Sequence, residues 1–270
     1  RGDFLSVEHT LMQVPLLKAP YEFISINNDF EIMTKYQHYG MCTRLLDLTT
    51  NPLVALYFAC EEYGEVCYKG IEDEEDTKIQ EANGVIFFNK KYSVSTNEID
   101  IKVISSLSQI DLSNYNTLES ILRKLTERKA ISKELEERWK SKEHYEEFIN
   151  IIQHNYIVTP PYNNERLSRQ CGMFLLAGCF NFVYTESISE SSIEKGYKDL
   201  RDEFDRNFFY ISGENKKAIL EELDTYNINE ATLFPELEHQ LSYIKNKKNA
   251  KIKASSEFIK FDSNDIKTQI

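Results

Sequence analysis

One short segment, residues 37–59, carries most of the side chains whose types and spacing indicate chemistry. It reads QHYGMCTRLLDLTTNPLVALYFA and passes from a polar run into a strongly apolar one. The polar side chains in question are Gln37, His38, Tyr39, Thr43, Arg44, Asp47 and Thr49. Charged and hydrogen-bonding groups set beside an apolar scaffold are typical of ligand pockets, so we predict that this set lines one.

Three local elements must position these side chains. Asn28 is expected to cap a helix that stops at Gly40. Residues 43–49 are expected to be extended. Asn51 and Pro52 form a strong start signal for a second helix, because Asn caps helices and Pro suits the first helical position. The apolar side chains of that helix predict burial on most of its sides.

The rest of the chain predicts a mixed architecture. Strand-like segments are expected at 84–90, 171–178, 180–185 and 207–213, helices at 97–154, 215–226 and after 229, and a solvated acidic loop at 61–82. We therefore predict an α+β fold in one domain spanning 1–270. It has a mixed, mainly antiparallel sheet, a helical insertion at about 97–155 and a C-terminal helix pair at 215–247.

Composition excludes several classes of function. The net charge of −12 argues against general nucleic-acid binding, which needs clustered Lys and Arg. The five cysteines are odd in number and have no C-x-x-C spacing, so neither a disulfide framework nor a metal site is predicted. Reduced thiols favour a cytoplasmic location. No apolar run approaches the roughly 20 residues that span a bilayer, so no membrane association is expected.

Three segments resemble the FRG-domain family, which is called after an (F/Y)-R-G motif. The stretch 37–59 resembles its central signature, and Arg1-Gly2 would be the last two letters of the naming motif. NNERLSRQCGMFLL at 163–176 is similar to the family's R-x-x-x-Q-x-G-x-F segment, and 216–237 resembles its C-terminal helices. The departure is Met41-Cys42, where the family usually has a small apolar residue and Pro. The resemblance implies an accessory or effector module of bacteria, phages or mobile elements.

A more distant similarity is to ADP-ribosyltransferases that use an Arg–Ser–Glu triad. These enzymes place an aromatic-Arg-Gly on their first strand, then a Ser/Thr-rich strand end leading into a helix with an A-x-x-F-A ending, and later a Glu before a strand. This chain offers Arg1-Gly2, DLTTNPLVALYFA and RLSRQCGMFLL in that order. The similarity implies a sheet core of the ADP-ribosyltransferase type and NAD as a substrate.

The same similarity implies roles for individual residues. When nicotinamide leaves NAD, an oxocarbenium-like ribose develops, and the site must hold the phosphates and stabilise the positive charge. Arg1 is expected to bind ribose or phosphate through its guanidinium group, and Thr49 and Thr50 to hydrogen-bond the nicotinamide ribose. Tyr39 or Tyr57 is expected to stack on the nicotinamide ring.

The position of the acid departs from the transferase pattern. Gln170 stands where an acid is expected; it can hydrogen-bond a ribose hydroxyl but carries no charge. Glu165 or Asp47 must then supply the carboxylate. The predicted catalytic set is Arg1, Asp47, Glu165 and Gln170, and the predicted ligand-binding set is Gln37, His38, Tyr39, Thr43, Arg44, Thr49 and Arg166.

Two other functions remain open on the sequence. In the first, His38 acts as a general base oriented by Asp47, with Arg44 or Arg166 on a phosphate, in a hydrolase or nuclease. In the second, the protein binds a nucleotide or a protein partner without catalysis.

A structural explanation of the same residues also stays open. Arg44 and Asp47 can form a buried ion pair. Residues 166–170 can form a polar network on a strand edge that touches Gln37 and His38. The functional interpretation requires the chain's first residues, the segment ending at Thr49 and the turn around Gln170 to meet in one cleft.

Overall fold

The computed structural model describes residues 4–67, 78–112, 114–115, 117–162, 164–178 and 201–256. The helices are α1 (Phe4–Lys18), α2 (Asp29–His38), α3 (Pro52–Ala59), α4 (Ile99–Leu107), α5 (Leu118–Glu127), α6 (Lys133–Lys140), α7 (Tyr145–Gln153), α8 (Glu165–Arg169), α9 (Lys216–Thr225), α10 (Glu230–Leu233) and α11 (Leu237–Ser256). The strands are β1 (Leu45–Thr49), β2 (Gly64–Cys67), β3 (Lys78–Glu81), β4 (Gly84–Phe87), β5 (Val94–Ser95), β6 (Tyr156–Thr159), β7 (Gly172–Leu176) and β8 (Phe208–Ile211).

The chain divides into two compact units, each built from separate stretches of sequence. The first comprises residues 1–50, 85–162 and 171–210, and the second 51–84, 163–170 and 211–270. The boundary between them falls between the polar part of the 37–59 segment and the apolar helix α3. Residues 37–50 of that segment therefore belong to the first unit, and residues 51–59 to the second.

A small mixed sheet lies in the first unit, with strand order β1-β7-β6-β5. Strand β7 is antiparallel to both of its neighbours, and β5 is parallel to β6. Leu45 pairs with Leu176 and Thr49 with Gly172, which fixes the register of the strand that carries Asp47. This sheet, together with the helices, confirms the predicted mixed α+β class.

Four helices, α4 to α7, occupy the segment that was predicted to be helical. Their apolar faces bury a single cluster around Trp139, which is 2% exposed. The indole nitrogen of Trp139 donates to Glu147 Oε2 at 3.1 Å, so the buried ring keeps its one polar atom paired. Among the described residues, no helix has both the length and the apolarity needed to cross a membrane.

The second unit contains α3, α8 to α11 and the paired antiparallel strands β2 and β3. Helix α3 begins as predicted, because Asn51 Oδ1 accepts from the Leu53 amide at 2.9 Å and Pro52 is its first residue. The prediction of burial on most sides is wrong. Val54 is the one fully buried residue of the helix and packs against Leu233 and Phe234, whereas Leu53 and Phe58 are exposed.

Two other predictions about strands and loops need correction, and a third falls outside the described residues. The segment 61–82 contains two paired antiparallel strands, β2 and β3, rather than a continuous loop, and its acidic run 71–76 lies outside the described residues. The segment 84–90 is not a central strand, because β4 and β8 form a two-stranded sheet of their own. The strand predicted at 180–185 also lies outside the described residues.

The cysteines of the described chain include three free thiols, Cys42, Cys60 and Cys171. Cys60 is buried, and burial raises the pKa of its thiol. A buried thiol with a raised pKa stays protonated and is a poor nucleophile, so Cys60 acts as a small core residue.

Candidate functional site

The turn after α2 places the polar residues of the 37–59 segment. Gly40 has φ +81°, its amide donates to the Gln37 carbonyl at 2.9 Å, and the Met41 amide donates to the Tyr36 carbonyl at 3.0 Å. This is a Schellman motif, in which glycine adopts the left-handed conformation at low cost. It ends the helix where the sequence predicted and turns the chain towards β1.

Gln37 joins that helix to the strand through its side-chain amide. Gln37 Nε2 donates to Asp47 Oδ1 at 2.9 Å, and the Thr43 hydroxyl donates to Gln37 Oε1. Thr43 Oγ1 in turn accepts from the Leu45 amide at 3.2 Å. The structure thus brings three of the predicted residues together, and their contacts hold the turn against the strand.

Arg44 has a different partner from the one predicted. Its Nε donates to Glu8 Oε1 at 2.7 Å, and its Nη2 donates to the Ile104 carbonyl at 2.8 Å. The Arg44 and Glu8 side chains are 6% and 2% exposed, whereas Asp47 is exposed. The buried ion pair predicted between Arg44 and Asp47 is therefore wrong in its acid. The partner, Glu8, lies 36 positions away, where sequence spacing gives no signal.

The remaining residues predicted in the first unit are at its surface or on its sheet. Tyr39 is 73% exposed and makes an edge-to-face contact with His38 at 5.2 Å between ring centroids. Thr49 is the last residue of β1, opposite Gly172. Arg1 lies outside the described residues.

The residues predicted near 170 lie in the second unit, on a short helix rather than on a strand edge. Asn164 Oδ1 accepts from the Arg166 amide at 2.9 Å and so starts helix α8, which ends before Gln170. Gln170 Nε2 donates to the Leu233 carbonyl at 3.2 Å. Glu165 accepts from Arg169 Nη2 at 2.6 Å, so this carboxylate is already paired.

A second group of polar side chains surrounds Phe234 in the same unit. The Arg166 guanidinium carbon lies 4.6 Å from the centroid of the Phe234 ring, and Arg166 Nη1 lies 4.0 Å from Glu236 Oε1. The His239 ring stacks on Phe234 at 4.5 Å and 28°, and His239 Nδ1 lies 2.9 Å from Glu230 Oε1. We refer to Tyr57, Glu61, Arg166, Glu230, Phe234 and His239 as the Phe234 cluster.

Glu61 and Tyr57 join this cluster through electrostatics. Although part of Glu61 remains exposed, burial raises the pKa of its carboxyl group, and the nearby charge of Glu230 raises it further. Arg166 and His239 act in the opposite direction on the same pKa. Burial, followed by Glu61 and Glu230, raises the pKa of Tyr57 to about 12. A carboxyl group with a raised pKa beside a cation is typical of acid–base sites.

Sequence reasoning missed most of the Phe234 cluster. It identified Arg166 and Tyr57, and it quoted the segment that contains Phe234 only as part of a resemblance. Glu230 lies in that same segment but received no role, and Glu61 and His239 were not selected. The cluster joins three stretches of sequence, near 60, near 166 and at 230–239, that no motif spacing links. Among the described residues, no group of three or more His, Cys, Asp or Glu side chains is placed to hold a metal ion.

Replacing Glu61 with Gln is expected to change how stability depends on pH. The folded protein holds the Glu61 proton more tightly than the unfolded chain does, so this group favours folding in acid and loses that contribution as the pH rises. Glu61→Gln should therefore melt close to the wild type at about pH 4 and above it at about pH 7. Thermal unfolding followed by circular dichroism at the two pH values measures the melting temperatures of both proteins. A variant that is less stable than the wild type at the higher pH would contradict the assignment.

The described residues form a mixed α+β protein with a polar network around Gln37 in one unit and the Phe234 cluster in the other. Residues 7–66 match the family model of the FRG domain. This match confirms the resemblance predicted from the 37–59 segment, and the other two similar segments lie outside the matched residues. No curated protein and no solved structure matches the chain.

Proposed function

We propose that the protein binds a nucleotide-like small molecule at the Phe234 cluster and cleaves the N-glycosidic bond of NAD, as ADP-ribosyltransferases do. The observation that carries this proposal is the position of Arg166, whose guanidinium group lies over the Phe234 ring in a cluster that also contains Glu61. A guanidinium group that lies on an aromatic ring keeps N–H donors for a phosphate. The carboxylates of the cluster then face the sugar.

The chemistry assigns separate tasks to the acidic residues. When the bond between ribose C1′ and the nicotinamide nitrogen breaks, its electron pair leaves with nicotinamide and C1′ becomes electron-poor. Water or an acceptor group then adds to C1′ and loses a proton. Glu61 is suited to stabilise the positive charge or to take that proton, because its raised pKa lies closer to neutrality than that of an ordinary Glu. Glu165 is a poorer choice, since it is bonded to Arg169.

A specific contact favours a second candidate function. His239 and Glu230 form a pair at 2.9 Å, which is the arrangement of a general base oriented by a carboxylate. A hydrolase acting on a phosphorylated substrate would use this pair, with Arg166 on the phosphate. His239 and Glu230 would then replace the predicted His38 and Asp47.

The proposed biological role follows from the resemblance of residues 37–59 to FRG domains. The protein would act in the cytoplasm as an effector in conflict between bacteria and phages or other mobile elements. A third candidate function is binding of a nucleotide or a protein partner without turnover. The experiment below distinguishes it from the two enzymatic functions.

Incubation with NAD labelled in its adenylate part, followed by measurement of nicotinamide release and label transfer, tests the proposal. We expect the wild type to release nicotinamide and Glu61→Gln to lose at least about 100-fold in rate. Glu165→Gln is the matched control on an already paired carboxylate and should retain activity.

The proposal is refuted if the protein neither turns over nor binds NAD. Turnover of a phosphomonoester with loss in His239→Gln would support the hydrolase. Binding of NAD without release of nicotinamide would indicate a recognition module.

A further inference from the structure

A cavity of about 360 Å³ opens in the first unit, among residues that sequence reasoning did not select. It is lined by side chains from α1, from the turn after α4 and from α5, and those that matter here are His9, Gln13, Gln109, Asp111, Tyr115 and Lys124. Pockets of about 300–1,000 Å³ with a few placed polar groups are typical ligand sites. None of these residues belongs to the Phe234 cluster.

Gln109 is the most informative residue of the cavity. It is 5% exposed, and its Nε2 has no hydrogen-bond partner. Gln13 Nε2 donates to Gln109 Oε1 at 3.1 Å and to the Gln109 carbonyl at 3.4 Å, and these two bonds fix the amide orientation that leaves Nε2 unpaired. A buried donor without an acceptor costs stability, which points to a ligand that supplies the acceptor.

His9 contributes the opposite hydrogen-bonding capacity. Its Nδ1 is also buried without a partner, while its Nε2 lies 3.7 Å from Asp111 Oδ2 and 3.1 Å from Thr10 Oγ1. With the ring proton on Nε2, directed towards Asp111, Nδ1 is an acceptor that requires a donor. The cavity thus presents one unpaired donor and one unpaired acceptor.

The other lining side chains restrict the shape and charge of a ligand that the cavity can bind. Tyr115 provides an aromatic wall, and Lys124 Nζ lies 4.8 Å from the centroid of its ring. Lys124 is paired with Glu127 at 2.6 Å, and Arg128 with Asp29 at 2.8 Å, so the cationic groups are already neutralised. This balance disfavours a strongly charged ligand and favours a flat, neutral one.

We infer that this cavity is a second ligand site, which takes a neutral nitrogen heterocycle of the adenine type, presented as a nucleoside. The edge of adenine places the N7 acceptor next to the N6 donor, which complements Gln109 Nε2 and His9 Nδ1. The Tyr115 ring offers a surface on which such a base stacks. The site goes beyond the proposed NAD chemistry, because all of its residues lie in the other unit.

Calorimetric titration of the full chain with adenosine tests the inference. We expect saturable 1:1 binding, weakened by about tenfold or more in Gln109→Met. Gln153→Met, a substitution of the same type in the same unit but away from the cavity, should bind like the wild type. Inosine, which carries an acceptor where adenosine carries the N6 donor, should bind about tenfold more weakly than adenosine.

Two further measurements test whether Gln109 has only a structural role and whether the cavity is independent of the NAD site. Gln109→Met removes the unpaired donor together with the Oε1 acceptor of Gln13, whereas the bond from Gln13 to the 109 carbonyl remains, so its melting temperature should stay close to that of the wild type. Gln109→Met should leave NAD turnover unchanged, and Arg166→Ala should leave adenosine binding unchanged. The inference is overturned if adenosine does not bind, if Gln109→Met binds it as the wild type does, or if inosine binds equally well.

Discussion

Replacing Arg44 with Met is expected to lower the free energy of unfolding by about 3–5 kcal/mol. The substitution leaves the Glu8 carboxylate, which is 2% exposed, without its cation in the interior of the first unit. It also leaves the Ile104 carbonyl without the Arg44 donor. Removing one partner of a buried ion pair costs more than the pair contributes, because the remaining charge has lost both water and its counter-ion.

A double substitution provides the control for this prediction. Glu8→Leu combined with Arg44→Met removes both charges, so the double variant should recover a large part of the stability that either single variant loses. Asp47→Asn is the matched control for the acid predicted from the sequence, and it should change stability little because Asp47 is exposed. Urea unfolding of the variants measures all of these differences. A double variant as unstable as the sum of the single variants would contradict the pairing.

This prediction separates two roles for a motif residue. A ligand-binding Arg44, as inferred from the sequence, would lose affinity on substitution while keeping the fold intact. A buried Arg44 that ties β1 to α1 and α4 loses stability instead. The contacts of Arg44 with Glu8 and Ile104 favour the second role.

The parts of the fold that the sequence predicted are those with local causes. Gly40 ends a helix because glycine adopts the left-handed conformation at low cost, and the hydrogen bonds of this cap involve neighbouring residues only. Asn51 and Pro52 start a helix for equally local reasons. The strands β1 and β7 were also found from their apolar runs. Each of these signals lies within a few residues of the structure that it determines.

The parts that could not be predicted depend on contacts between distant segments. Residues 166–170, expected to form a polar network on a strand edge, lie on and just after a short helix, which begins at the Asn164 cap. Helix α3 is apolar yet partly exposed, since burial depends on what packs against it and not on its own composition. The Phe234 cluster combines Glu61, Arg166 and His239, and no spacing rule links residues so far apart in sequence.

Replacing Arg166 with Ala is expected to weaken NAD binding by roughly 10- to 100-fold, the loss that follows when a charged hydrogen bond to a phosphate is removed. Arg166→Lys should recover little of this affinity. A lysine keeps the charge but lacks the planar group that lies on the Phe234 ring and can donate two parallel bonds. Isothermal titration with NAD, under conditions in which Glu61→Gln prevents turnover, measures the affinity directly.

Arg169→Ala is the matched control, because Arg169 belongs to the same short helix but donates to Glu165 and to the Ala231 and Thr232 carbonyls. Its loss should lower stability slightly and leave NAD affinity unchanged once the protein is folded. Equal losses of affinity in the Arg166 and Arg169 variants would show that the helix as a whole, rather than the guanidinium over Phe234, supports binding. A loss confined to the Arg166 variants would place the phosphate at the Phe234 cluster, since the two arginines share a helix but differ in what their side chains contact.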